Sequence, residues 1–125
     1  HDSALKVVKW LAKHPKVEKV LFPFHESFGQ QDLVQKQMRG AGGLFSFFLK
    51  SKERQDAEDF FHVLKAFLFA VSWGGHESLI IPTVAFHGIE GRPNPDTPVN
   101  MFRIYIGLED PDYLIADLAQ ALDRI

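Results

Sequence analysis

Two short segments contain the residue types best suited to binding an anionic small molecule. The first is Ser72-Trp73-Gly74-Gly75, a polar turn with two glycines that directly follows an apolar run. The second is an apolar, strand-like segment in which Arg103 stands between Phe102 and Ile104. A guanidinium presents paired planar donors that match a carboxylate, which a lysine ammonium cannot do. Because no acidic residue adjoins Arg103 in its segment, the pattern indicates a carboxylate-binding site.

Each segment also has an ordinary structural interpretation. Arg103 could lie on the solvent face of an edge strand, where strand arginines commonly occur. Residues 72–75 could be a turn that ends a strand, since glycines permit such turns. His76-Glu77 does not form a zinc motif, because position 80 is Ile80 and not a second histidine. The remaining histidines show no ligand spacing, so we expect no metal site.

The composition restricts the class of protein. With 125 residues, 46% hydrophobic content and 12 phenylalanines, the chain can form one domain with a packed core. A net charge of -2 does not favour nucleic-acid binding, and the absence of cysteine excludes disulfides and thiolate chemistry. The longest apolar run, residues 60–73, contains His62 and Lys65 and is shorter than the roughly 20 residues of a membrane helix. No signal peptide is recognisable, so we expect a soluble, cytoplasmic protein.

Apolar periodicity and turn residues predict a small α+β domain. We expect a mainly antiparallel sheet of three or four strands that is covered by helices. Gly40 is expected to end one helix in the left-handed conformation, and Asp110 with Pro111 to begin the last one. The predicted helices cover residues 3–13, 32–38, 52–67 and those from 111 onward. The predicted strands cover residues 17–22, 44–50, 78–83 and 102–108, and residues 69–72 could form a further short strand. Residues 87–100 are predicted to be a long loop.

The chain starts without methionine, and its first residues already follow a helical pattern through Leu5, Val8 and Leu11. From this pattern we expect the chain to be a fragment of a longer protein.

Four blocks, in order along nearly the whole chain, carry a family resemblance. They are Trp10-Leu11 with His14-Pro15 and Val17; Gln37-Met38 with Gly40, Gly42-Gly43 and Phe45-Ser46-Phe47; Ser72-Trp73-Gly74-Gly75 with Glu77-Ser78-Leu79; and Arg103 with Gly107-Leu108-Glu109-Asp110. Together they resemble the C-terminal domain of the Cys/Met-metabolism pyridoxal-phosphate-dependent enzymes, the family of cystathionine β-lyase, γ-synthase and γ-lyase.

The resemblance implies a fold-type-I enzyme in which residues 1–125 are a single small C-terminal domain. The large domain upstream would bind most of the pyridoxal 5'-phosphate and supply the catalytic lysine, so this chain would contain no catalytic residue and be inactive alone. By resemblance, Arg103 binds the α-carboxylate of a sulfur-containing amino acid, Ser72 lies near the catalytic lysine, and Trp73 walls the pocket. The full-length enzyme would be a homotetramer.

The type of reaction depends on fewer residues. The tryptophan at position 73 resembles the β-lyases, whereas many other relatives carry leucine at this position. The apolar Val71 disfavours the γ-lyase type. We therefore expect β-elimination from cystathionine or cysteine, within trans-sulfuration and amino-acid biosynthesis. The alternatives are γ-synthase or γ-lyase chemistry and, in another class, a non-catalytic α+β binding or dimerisation domain. Residues 82–87 depart from the motif that follows the turn in this family. The resemblance therefore does not define the pocket for the side chain of the substrate.

Overall fold

The computed structural model describes all residues of the chain, 1–125. Its elements confirm the α+β fold class. In chain order they are α1 (Asp2–Lys13), β1 (Val17–Leu21), α2 (Gln31–Gln37), β2 (Leu44–Leu49), α3 (Arg54–His62), β3 (Leu68–Phe69), β4 (Leu79–Pro82), a 3-10 helix (Thr83–Phe86), β5 (Met101–Tyr105) and α4 (Pro111–Leu122). None of the helices has the length and apolar character needed to span a membrane.

The strands form one mixed sheet in the order β1-β2-β5-β4-β3. The first three neighbouring pairs are antiparallel, and β3 runs parallel to β4. The sheet therefore has five strands, where three or four were expected. The fifth strand, β3, has only two residues, Leu68 and Phe69, and overlaps the short strand considered at 69–72 in its first residue alone.

Alternate side chains of the central strands face a helical layer and form the core. Phe47 of β2 and Phe102 of β5 stack with their ring centroids 5.3 Å apart, and Phe60 of α3 meets the Phe102 ring edge-on at 5.0 Å. All three rings are fully buried. Aromatic pairs in these arrangements add to the stabilisation that burial provides. The residues between them in the same strands project from the opposite face of the sheet.

The first and last helices have the predicted ends. α1 stops at Lys13, immediately before His14-Pro15, because the residue before a proline is disfavoured in helical conformation. α4 begins with Pro111 after Asp110, whose side chain accepts a hydrogen bond from the backbone N–H of Asp112 at 2.8 Å.

α3 is shorter than its apolar stripe predicted, since it ends at His62 and not near residue 67. The reason is a buried carboxylate on α4. Asp117 accepts hydrogen bonds from the backbone N–H of Lys65 at 2.9 Å and of Ala66 at 2.7 Å, and these amides can no longer continue a helix. Phe67 is still buried, but from the segment that leads into β3.

The expected left-handed end of α2 at Gly40 is wrong. The helix ends at Gln37, and Met38 already has extended backbone angles. Positive φ angles occur only at Gly74, Gly88 and Gly91. The glycine that matters before β2 is Gly43, where a Cβ would lie 2.3 Å from the carbonyl oxygen of Ile106.

The first prediction concerns Asp117. Asp117→Asn leaves one acceptor oxygen and places an NH2 group against backbone donors, so it should lower the free energy of unfolding by about 2 kcal/mol. Urea denaturation of the protein measures this loss. Asp123→Asn is the control, because Asp123 follows the same helix and is exposed. Equal losses in the two variants would contradict the role assigned to Asp117.

Candidate functional site

Arg103 lies in the middle of the sheet. It belongs to β5, which pairs with β2 on one side and β4 on the other, and it stands opposite Ser46 and Ile81. Its side chain is half-buried and points away from the helical layer, because the neighbouring Phe102 and Ile104 fill the core. The alternative of an arginine on an exposed edge strand is therefore wrong.

The Arg103 guanidinium has a single partner within the chain. Its Nη2 donates a hydrogen bond to the backbone carbonyl of Val71. No carboxylate forms an ion pair with it; the ion pairs of the chain are Lys6–Asp112, Arg54–Glu58 and His76–Glu77. A guanidinium offers several N–H donors, so most of those on Arg103 are available. A half-buried cation without an acidic partner is well suited to binding an anion.

The carbonyl that Arg103 contacts belongs to the site loop, which we define as residues 70–78 between β3 and β4. Ser72 and Trp73 follow Val71 directly, and both are exposed. The Ser72 hydroxyl makes no hydrogen bond within the chain, and the Trp73 side chain is 58% exposed. Ser72 and Trp73 thus directly follow the residue whose carbonyl Arg103 contacts.

This chain by itself forms no cleft at Arg103, Ser72 and Trp73. The chain has five surface cavities, and none of them is lined by Arg103, Ser72 or Trp73. The three residues therefore lie together on an open surface.

Tyr105 is a contact of the site loop that sequence reasoning missed. Its hydroxyl donates a hydrogen bond to the carbonyl of Gly75 at 2.9 Å. The available signal was its spacing, because residues two apart in a strand project from the same face. Tyr105 therefore shares the face of Arg103.

The end of the site loop is held by a buried polar network. Ser78 is fully buried; its N–H and hydroxyl donate to the two carboxylate oxygens of Glu109 at 2.9 and 2.7 Å. The same hydroxyl oxygen accepts a hydrogen bond from the N–H of Gly107 at 2.9 Å. Burial raises the pKa of Glu109, but the hydrogen bonds from Ser78 outweigh it and hold the pKa below its usual value.

Gly107 is required by a close approach of two backbone segments. A Cβ at this position would lie 2.2 Å from the carbonyl oxygen of His76, which also accepts a hydrogen bond from Leu108. Any other residue would push the site loop away from β5. The glycine therefore sets the distance between the loop and the strand that carries Arg103.

The site loop and β5 contain no lysine. The chain has no lysine after Lys65, so neither the site loop nor β5 can offer an amine to an aldehyde cofactor. No group of three or more acidic or histidine side chains is placed to hold a metal ion. The donors that remain, a guanidinium and a hydroxyl, fit the carboxylate end of a small molecule.

Comparison with known proteins identifies relatives over the whole chain. The family model described as Cys/Met metabolism PLP-dependent enzyme matches residues 1–123. A cystathionine β-lyase of Escherichia coli is 38% identical over 100% of the chain, and a cystathionine γ-lyase of Dictyostelium discoideum is 38% identical over 98%. An L-alanine/L-glutamate racemase of Wolbachia pipientis is 37% identical over 99%. The chain spans 32%, 32% and 31% of the lengths of these three relatives.

A solved structure has the same fold. The crystal structure of a protein described as an O-acetylhomoserine (thiol)-lyase from Campylobacter jejuni superposes with a TM-score of 0.79 and 32% sequence identity. The match covers 98% of this chain and 27% of that protein, which carries an N'-pyridoxyl-lysine-5'-monophosphate.

The second prediction tests the network at the end of the site loop. Glu109→Gln keeps only one acceptor oxygen for the two Ser78 donors and places an NH2 group against the other donor, so near neutral pH the variant should lose about 1–2 kcal/mol of unfolding free energy. Since folding lowers the pKa of Glu109, its contribution is present above the ordinary value of 4.5 and disappears as the pH falls through the folded-state pKa. The difference from wild type should therefore shrink in acid.

Urea denaturation at neutral and acidic pH measures both effects. Glu90→Gln is the control, because Glu90 is exposed and makes no side-chain hydrogen bond. A difference for Glu109→Gln that does not change with pH would rule out the carboxylate as its source.

Proposed function

Because the chain belongs to the Cys/Met metabolism family of pyridoxal-phosphate-dependent enzymes, we propose that residues 1–125 are the C-terminal, substrate-binding domain of a longer enzyme. The relatives are about three times as long as the chain, which leaves room for a large domain that binds the cofactor. The absence of lysine from the site loop and β5 supports the same division, because neither segment can supply the catalytic lysine.

The observation that carries the proposal is the unpaired, half-buried guanidinium of Arg103. Its only partner is the carbonyl of Val71, and its remaining donors match the α-carboxylate of an amino-acid substrate. The central strand holds the guanidinium in place before the substrate arrives. Such positioning aligns the reacting bond of the substrate, which contributes more to the rate than neutralising its charge.

Ser72 and Trp73 complete the proposed substrate contacts. Ser72 adjoins the carbonyl that Arg103 contacts, and its hydroxyl is free to donate or accept a hydrogen bond near the catalytic lysine. The exposed indole of Trp73 forms a wall of the pocket once the large domain covers the open surface.

Pyridoxal phosphate supplies the electron sink that makes the α-hydrogen of a bound amino acid removable. The residues of the site loop and β5 fit the substrate and not the covalent attachment of that cofactor, because they include no lysine. The isolated chain should therefore be inactive. We place the complete enzyme in the cytoplasm as a homotetramer.

For the reaction we propose β-elimination from cystathionine or cysteine, as a step of trans-sulfuration. Trp73 and the apolar Val71 support it through their resemblance to the β-lyases. Sequence identity does not separate the candidates, since the β-lyase and the γ-lyase relatives are both 38% identical. γ-Synthase or γ-lyase chemistry is therefore the alternative within the family, and a non-catalytic binding or dimerisation domain is the alternative outside enzymology.

The third prediction concerns Arg103 in the full-length enzyme. Arg103→Ala should raise KM for the amino-acid substrate and lower kcat/KM by roughly ten- to a hundredfold, because a charged hydrogen bond is lost. Bound cofactor should remain, as judged from visible absorbance. Arg103→Lys should recover only part of the loss, since an ammonium cannot pair with both carboxylate oxygens in the plane.

Arg92→Ala is the matched control, because Arg92 is exposed and its side chain makes no hydrogen bond or ion pair. An Arg103→Ala enzyme with an unchanged KM would remove Arg103 from the substrate site.

The fourth prediction identifies the reaction. The full-length protein should show the visible absorbance of bound pyridoxal phosphate and release pyruvate from L-cystathionine. Release of 2-oxobutyrate would instead assign γ-chemistry. A protein that neither binds the cofactor nor turns over the substrate would support the non-catalytic alternative.

A further inference from the structure

Two side chains of β5 hold the same loop from one face of the sheet. Arg103 donates a hydrogen bond to the carbonyl of Val71, and Tyr105 donates one to the carbonyl of Gly75 at 2.9 Å. The two donors are separated by one pleat of the strand, and their acceptors stand at the two ends of the segment 71–75. This segment, which we call the clamped segment, contains both Ser72 and Trp73.

Few other interactions fix the clamped segment. All five of its residues are exposed, and neither the Ser72 hydroxyl nor the Trp73 indole makes a hydrogen bond within the chain. Gly74 has a φ of 91°, a conformation in which glycine adds backbone freedom. The tight backbone contacts begin only at His76, whose carbonyl meets Leu108. The hydrogen bond of Tyr105 is therefore the tie nearest to Ser72 and Trp73 on their C-terminal side.

The position of the clamped segment also determines how Arg103 is oriented. The carbonyl of Val71 takes one donor of the guanidinium and so sets the direction of the remaining donors. If Gly75 is released, the carbonyl of Val71 can move with the segment. The guanidinium then loses its preferred orientation at the same time as Ser72 and Trp73 lose theirs.

We infer that Tyr105 is a positioning residue of the substrate site. Its hydroxyl holds the clamped segment so that Arg103, Ser72 and Trp73 face the same substrate. It acts through these residues and does not itself contact the substrate. This inference rests on the proposed function of Arg103 as the carboxylate-binding residue.

The experiment compares the two tyrosines of the chain in the full-length enzyme. Tyr105→Phe removes only the hydroxyl, so KM for the amino-acid substrate should rise about three- to tenfold, the equivalent of one neutral hydrogen bond. The value of kcat should fall less than KM rises, because the carboxylate contacts that Tyr105 positions exist in the ground state as well as in the transition state. Tyr113→Phe is the matched control: Tyr113 lies on α4, is 56% exposed and has no hydrogen-bond partner.

A double-mutant cycle with Arg103→Lys separates positioning from a general loss of stability. If Tyr105 acts through Arg103 and the clamped segment, Tyr105→Phe should raise KM less in the Arg103→Lys background than in the wild type. Hydrogen exchange provides a readout that does not depend on activity. The amide of Leu108, which donates to the carbonyl of His76 next to the clamped segment, should exchange faster in Tyr105→Phe than in Tyr113→Phe, while those of β5 should not change.

The outcomes distinguish this inference from the proposed function. A higher KM in Arg103→Lys, with Tyr105→Phe indistinguishable from Tyr113→Phe, would overturn the role of Tyr105 and leave the function of Arg103 intact. An unchanged KM in Arg103→Lys would overturn the proposed function, and the inference with it. Equal KM effects of Tyr105→Phe in both backgrounds would show that Tyr105 acts independently of Arg103 and would also overturn the inference.

Discussion

Strand β5 lies between two antiparallel neighbours, and its side chains alternate between the helical layer and the open face of the sheet. Phe102 and Ile104 are fully buried in the core, so Arg103 and Tyr105 must project from the other face. The same alternation therefore stabilises the domain and presents the candidate site. A shift of one residue in the pairing would bury the guanidinium and expose two core side chains, which makes this register strongly preferred.

The site loop is attached to β5 and to the segment that follows β5, by contacts that differ in strength. Arg103 and Tyr105 hold its carbonyls from the exposed side, whereas Ser78 is fully buried against Glu109 and Gly107. The buried attachment is the stronger, because a charged acceptor satisfies two donors away from most of the solvent. The loop is thus firmly fixed where it joins β4 and held by fewer bonds where Ser72 and Trp73 lie.

Partial burial of an arginine without an acidic partner costs free energy of folding. Binding of an anion offsets this cost. In this chain the cation, the serine hydroxyl and the indole lie on an open surface that forms no cavity. They would form part of a pocket whose remainder comes from the large domain that we propose upstream. The division agrees with the comparisons, in which relatives of different activity share this region at nearly the same identity. We therefore propose that the region common to them recognises the amino acid, while the choice of reaction depends on residues that differ between the relatives.

The sequence by itself determined the fold class, the end of α1 and the start of α4. The helix boundaries depend on local rules: a proline that stops a helix and an aspartate that caps one. The sequence also predicted three site residues, Arg103 from its place in an apolar segment and from the family resemblance, and Ser72 and Trp73 from the resemblance. Only the tertiary structure decided that α3 ends at His62, because the carboxylate of Asp117 that removes its last amides comes from a helix 55 positions further along the chain. The central place of β5 and the contact of Tyr105 with Gly75 likewise depend on how distant segments pair. Such long-range contacts cannot be read from the sequence, because the spacing of apolar and polar residues reports only the local helix or strand and not its distant partner.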